Sequence, residues 1–258
     1  MATLFEHIGF HIHNEEEVYR LADFVLNAGA IHVTENGFYA RWIDPSGSEI
    51  WSRTALDHKT EQANFLNIDP HFHGDTVWNL VLGRELAEEK DDALDGKFVL
   101  HTEDESKFIT ARIQGAQAIS EKEEGKVYPF QIALMPHTVR FYANEDAYRA
   151  ATGDELSILG MCMPRGMYSR LVVSEDSRPE EILLTTLIGR IRSSDLRTIE
   201  RGGDKISSFM HFTVETQFGT IDVPVANSLC QDVDLDEVGV MSVTGTFSAV
   251  MMGKGKTE

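Results

Sequence analysis

FEHIGFHIH (residues 5–13), running into NEEEVYRLADFVLNAG (residues 14–29), is the stretch on which the fold reading turns. Ile8, Phe10 and Ile12 alternate with His7, Gly9, His11 and His13, a period of two that predicts a strand with one buried face. Asn14 is then a good helix N-cap, and Glu15, Glu16 and Glu17 fall in the first turn, where the helix dipole favours acid. Val18, Leu21, Ala22, Val25 and Leu26 recur at helical spacing, and Gly29 stands just past the expected end. Short strands are expected around 31–33 and 38–43, then the turn Asp44-Pro45-Ser46-Gly47, then a returning strand at 50–53.

Moving outward, DPHFHG (69–74) reads as a turn and TVWNLVL (76–82) as a strand, while RELAEEKDDALDG (84–96) suits an exposed helix or a charged loop. KFVLHT, FITARI, YPFQIALM and TVRFYA predict four strands between 97 and 143, and residues 145–151 a short helix. The Met-rich stretch ILGMCMPRGM and the run SEDSRPEE place a connector at 154–181. Beyond it come a long strand from Ile182, a hairpin turning at Phe218-Gly219, and VGVMSVTGTFSAVMM, read as a strand pair.

The strand–helix–strand–strand–strand order opening with EHIGFHI and closing on DPSG resembles one module of the vicinal oxygen chelate (glyoxalase-like) superfamily, over about residues 5–54. That resemblance implies a histidine ligand on the first strand, matched by His7, and a glutamate after the turn. Trp51 stands at the glutamate position, and Glu49 is the nearest carboxylate. From 182 onward, the long strand carrying Gly189, the central hairpin and the final VGVMSVTGTF resemble an OB-fold barrel, in which a strand glycine permits sharp curvature. The combination of PHF, YPF and this tail also resembles bacterial proteins without an assigned role. The expected class is therefore α+β, mainly β: a glyoxalase-like, β-rich region at 1–153 with a divergent second half, a connector at 154–181, and an OB-like barrel at 182–258.

Composition narrows the chemistry. The chain of 258 residues has a net charge of −19, which disfavours nucleic acid and other polyanions as partners. Residues 165–211 depart from this, with 8 basic and 7 acidic side chains, among them Arg190, Arg192, Arg197, Arg201 and Lys205. Cys162 and Cys230 are the two cysteines; they show no CxxC or zinc-ligand spacing and read as buried residues. The start lacks a basic n-region and a long apolar h-region, and no apolar run would span a bilayer, so a cytoplasmic protein is expected.

The histidines are the leading functional signal. His7, His11 and His13 share one face of the expected strand, and His71 and His73 form a second H-x-H pair. Imidazole is the commonest protein metal ligand, so these five residues could hold a divalent metal such as zinc, iron or manganese. There is no G-x-S-x-G elbow, no P-loop and no G-x-G-x-x-G. In the OB-like tail, Arg190, Arg192, Phe209 and His211 are candidates for a ligand or a single nucleic-acid strand. The leading expectation is non-catalytic binding of a small molecule or a protein partner. The alternatives are a metal-dependent enzyme of the vicinal oxygen chelate type and single-strand binding by the tail.

Overall fold

The computed structural model describes residues 2–60, 62–86, 94, 96–120, 122–153, 159–164, 183–201 and 204–252. The protein is mainly β, with two α-helices among the described residues, and no described helix is long and apolar enough to cross a membrane.

The N-terminal helix forms as its residues dictate. α1 (Glu15–Ala28) is capped by Asn14, whose side chain accepts from the Glu17 N–H at 3.0 Å, and it buries Ala22 and Val25. The segment before it is not a strand. Glu6–Ile8 is a single 3-10 turn closed by Gly9 at φ 84°, so the alternation of residues 5–13 does not become a pleat. Tertiary contacts decide this: Ile8 is fully buried, its carbonyl accepts from Ser48 Oγ at 2.8 Å, and His7 Nδ1 accepts from the Ala226 N–H at 3.0 Å. His7, His11 and His13 therefore do not share a strand face.

After α1, β1 (Ala30–Thr34), β2 (Gly37–Ile43), β3 (Ser48–Asp57) and β4 (Gln62–Phe72) form a four-stranded antiparallel meander. Asp44-Pro45-Ser46-Gly47 makes the expected turn, with Asp44 Oδ1 accepting from the Ser46 N–H and Gly47 at φ 91°. Asp69–Phe72, expected in a turn, ends β4 instead, paired with Ser48–Trp51. Proline is tolerated there because β4 is an edge strand of this sheet.

The second sheet holds β5 (Val77–Glu85), β6 (Lys97–His101), β7 (Phe108–Ile113), β8 (Val127–Tyr142), β9 (Cys162–Pro164), β10 (Leu184–Arg201), β11 (Asp204–Thr216), β12 (Gly219–Ala226) and β13 (Val240–Met251), with α2 (Glu145–Thr152) following β8. β8 merges two expected strands, and β13 is one strand rather than a pair. Both are long because they pair with each other over all of Val240–Met251. The pair is shared by two closed circuits: β8–β5–β6–β7–β13 and, through one parallel bridge at Asp222–Ala133, β8–β12–β11–β10–β13. β8 and β13 lie on opposite sides of the expected connector, so the C-terminal strands share a sheet with the middle of the chain. Of that connector, residues 154–158 and 165–181 lie outside the described residues, as do 87–93 and 95 of the expected charged segment.

Gly189 sits where β10 bends: a Cβ there would come within 2.5 Å of the Glu215 carbonyl oxygen, next to a register shift at Ile191–Ser193.

One face of the second sheet encloses the main core, including Phe130, Phe212 and Phe247. On the opposite face, Ala133 and Met135 pack with Ile68 and Phe72 of β4 and with α1. Polar residues interrupt this second interface, and the candidate sites lie there.

Candidate functional site

Two polar clusters and a cleft lie where β4 meets the second sheet. In the first cluster, the fully buried Glu49 of β3 accepts from Arg41 Nε at 2.9 Å, from Arg41 Nη2 at 3.0 Å and from Trp51 Nε1. His73 Nδ1 stands 3.3 Å from its other oxygen. Burial opposes ionisation of Glu49, but His71, His73 and Arg41 outweigh it and hold the carboxyl at about 2. His71, the register partner of Glu49, is fully buried, and burial lowers its pKa against the opposing pull of Glu49 and Gln131.

Glu49, His71 and His73 each offer a ligand atom within 4.8 Å of the others. The surrounding groups do not suit a dication. Glu49 is already held by a bidentate guanidinium and an indole N–H, and His71 has a partner on both ring nitrogens: Ser248 Oγ at 2.8 Å from Nδ1 and Gln131 Oε1 at 2.5 Å from Nε2. A metal would have to compete with Arg41 for Glu49 and take one His71 nitrogen from its present partner. The arrangement is a closed hydrogen-bond network, in which buried polar groups satisfy one another.

The cleft has a volume of about 770 Å³. A row of residues in register crosses its wall: Lys97 on β6 faces Arg112 on β7, and Arg112 faces Ser248 on β13. Gln114, two residues beyond Arg112, donates from Nε2 to Ser248 Oγ at 3.0 Å. Asp69 of β4 bridges Arg112 (2.6 Å) and the buried Arg53 (2.8 Å), so two guanidiniums share one carboxylate. Leu4, Met135, Leu183 and Phe247 supply the apolar lining.

The second cluster surrounds His211, which lies between two carboxylates: Nδ1 is 2.8 Å from Asp195 Oδ1, and Nε2 is 2.8 Å from Asp222 Oδ1. Burial disfavours its charge, but Asp222 and Asp195 outweigh that and raise its pKa. The other oxygen of Asp222 accepts from the Thr76 N–H, and the Phe72 ring lies against His211 with centroids 4.8 Å apart.

The five histidines proposed as ligands fall in three places. His71 and His73 meet at Glu49; His11 and His13 lie side by side at the surface, ring centroids 6.4 Å apart; His7 is buried at the Ala226 N–H. In the tail, Arg190 and Arg192 do share one face, where both reach Glu215 and Arg190 also reaches Glu145. Phe209 is fully buried against Phe72, which removes it as a stacking surface, and His211 is enclosed by its carboxylates. The four do not form one exposed platform. Lys97, Arg112 and Ser248 carried no motif; strand register brings them together, and the turn after β7 adds Gln114. The chain matches no protein-family model, no curated protein and no solved structure.

Proposed function

We propose that the protein binds a small organic anion with an apolar body in the cleft between β4 and strands β7, β8 and β13. The observation that carries this reading is the row Lys97–Arg112 set beside the apolar lining of Met135, Leu183 and Phe247 in one cavity. Its volume falls within the range of about 300–1,000 Å³ common for small-molecule sites, and a few converging polar groups on an apolar wall are what such sites offer. A carboxylate or sulfonate would meet Lys97 and Arg112 there, in competition with Asp69 for the guanidinium, although the chain as a whole is acidic. Fold analogy alone is a weak warrant, and the cleft carries this reading without one.

The test uses 8-anilinonaphthalene-1-sulfonate, an amphipathic anion, with decanoate as competitor. Saturable one-to-one fluorescence enhancement on the folded protein, displaced by decanoate, is expected. Lys97→Ala and Arg112→Gln should each weaken it about tenfold, the scale of a lost hydrogen bond to a charged group. An absence of saturable binding, or binding indifferent to both substitutions, would refute the reading.

A further inference from the structure

The hydroxyl of Ser248 meets two side chains, His71 of β4 and Gln114 of the turn after β7, and His71 is held in turn by Gln131 of β8. Gln131 on β8 donates from Nε2 to the Phe72 carbonyl at 3.2 Å, which turns its Oε1 toward His71 Nε2. An amide oxygen only accepts, so His71 carries its proton on Nε2 and presents a lone pair at Nδ1. Ser248 Oγ, 2.8 Å away, therefore donates its proton to Nδ1 and accepts from Gln114 Nε2 at 3.0 Å. Ser248 itself lines the cleft.

We infer that Ser248 is a nucleophile and His71 its general base, and that the cleft cleaves carboxylic esters by acyl transfer. The inference rests on the binding reading above, since the same cleft must admit the ester. A serine within hydrogen-bond reach of an imidazole, which is oriented in turn by a third group, is the arrangement that activates a hydroxyl. Here Gln131 selects the tautomer. Glu49, with a carboxylate oxygen within 4.8 Å of a His71 nitrogen, supplies the negative charge that favours an imidazolium. Burial keeps His71 neutral near pH 7, so its lone pair is available. Gln114, which donates to Ser248 Oγ, and Arg112, the register partner of Ser248 that is held by Asp69, are the donors beside the hydroxyl that a developing oxyanion would have to engage.

Ser248 Oγ bonds to the acyl carbon while its proton passes to His71 Nδ1. The bond from carbon to the alcohol oxygen then breaks, and that oxygen takes the proton from Nδ1. Water repeats the sequence: it gives a proton to Nδ1, bonds to the acyl carbon, and the acyl–Oγ bond breaks as Oγ recovers the proton. One acid and one alcohol leave.

The test is a fluorophosphonate probe, with the labelled residue located by peptide mass spectrometry. One adduct on Ser248 is expected, absent in Ser248→Ala and formed at least about 100-fold more slowly in His71→Gln, the scale of lost general-base assistance. p-Nitrophenyl butyrate hydrolysis should fall in parallel. Ser248→Cys should restore a cleft nucleophile, read as rapid alkylation by iodoacetamide at residue 248. Wild-type protein that leaves Ser248 unlabelled, or label that is indifferent to His71→Gln, would overturn the inference. If anilinonaphthalene sulfonate still binds in that case, the binding reading stands alone; if it does not, both fail.

Discussion

Arg41 holds Glu49 through two parallel hydrogen bonds, of 2.9 and 3.0 Å, across adjacent strands β2 and β3, with the carboxylate fully buried. Register makes this possible: Arg41 pairs with Trp51 and Ile43 with Glu49, so the guanidinium crosses one diagonal step and lies 5.3 Å from the Trp51 ring centre. Two charges leaving water are costly, and the geometry of the fork offsets that cost.

Removing one partner should be severe. Arg41→Ala leaves a buried carboxylate without its cation and is expected to cost about 3–5 kcal/mol in urea unfolding. The double variant Arg41→Ala with Glu49→Gln should recover part of that loss. Single and double variants of equal stability would show that the pair is not coupled.

The same saturation makes a prediction about metals. Protein purified without chelators should carry well under one equivalent of zinc, iron or manganese by elemental mass spectrometry, and added zinc should leave the melting temperature unchanged. A stoichiometric ion lost in Glu49→Gln would replace the closed network by a metal centre.

His211 and His7 should give opposite pH dependences. The raised pKa of His211 means that its stabilising contribution is complete below its ordinary value of 6.5 and is lost as pH rises through the folded value. His211→Asn should therefore destabilise strongly at pH 5.5 and weakly at pH 9. Burial lowers His7 to about 4, so the folded protein loses stability as pH falls from 6.5 toward 4. That loss is roughly 3 kcal/mol on a scale of about 1.4 kcal/mol per pKa unit. His7→Gln should flatten this acid limb in denaturant titrations at pH 7 and pH 4.5, and an unchanged slope would contradict the assignment.

Gly245 sits at the register shift between β13 and β8, and a Cβ there would lie 2.3 Å from the Met135 carbonyl oxygen. Backbone cannot yield as a side chain can, so Gly245→Ala should cost about 2–3 kcal/mol in thermal or chemical unfolding. A neutral result would mean that the two strands separate freely, contrary to their continuous pairing.

Local chemistry accounts for what was legible in the chain. The Asn14 cap, the 3.6-residue spacing through α1, the DPSG turn, the helix at 145–151 and the hairpin at Phe218–Gly219 involve residues within a few positions of one another, and each appears in the fold. The failures share a cause. Residues 5–13 alternate as a strand does, yet Ile8 and His7 are captured by Ser48 and Ala226, and Gly9 turns the chain away. Asp69–Phe72 contains a turn-like proline, yet pairing with β3 keeps it extended.

A mainly β, acidic chain with a capped amphipathic helix follows from the residues alone, because hydrophobic period, capping and turn chemistry act over a few positions. Which polar groups meet depends on long-range strand pairing. Ser248 and His71 are separated by 177 positions, His211 and Asp195 by 16, and Asp69 and Arg112 by 43. Nothing local distinguishes these residues from ordinary strand serines, histidines and arginines. Strand register and the closure of β8 against β13 set their positions, because a shift of one residue would turn each side chain to the opposite face.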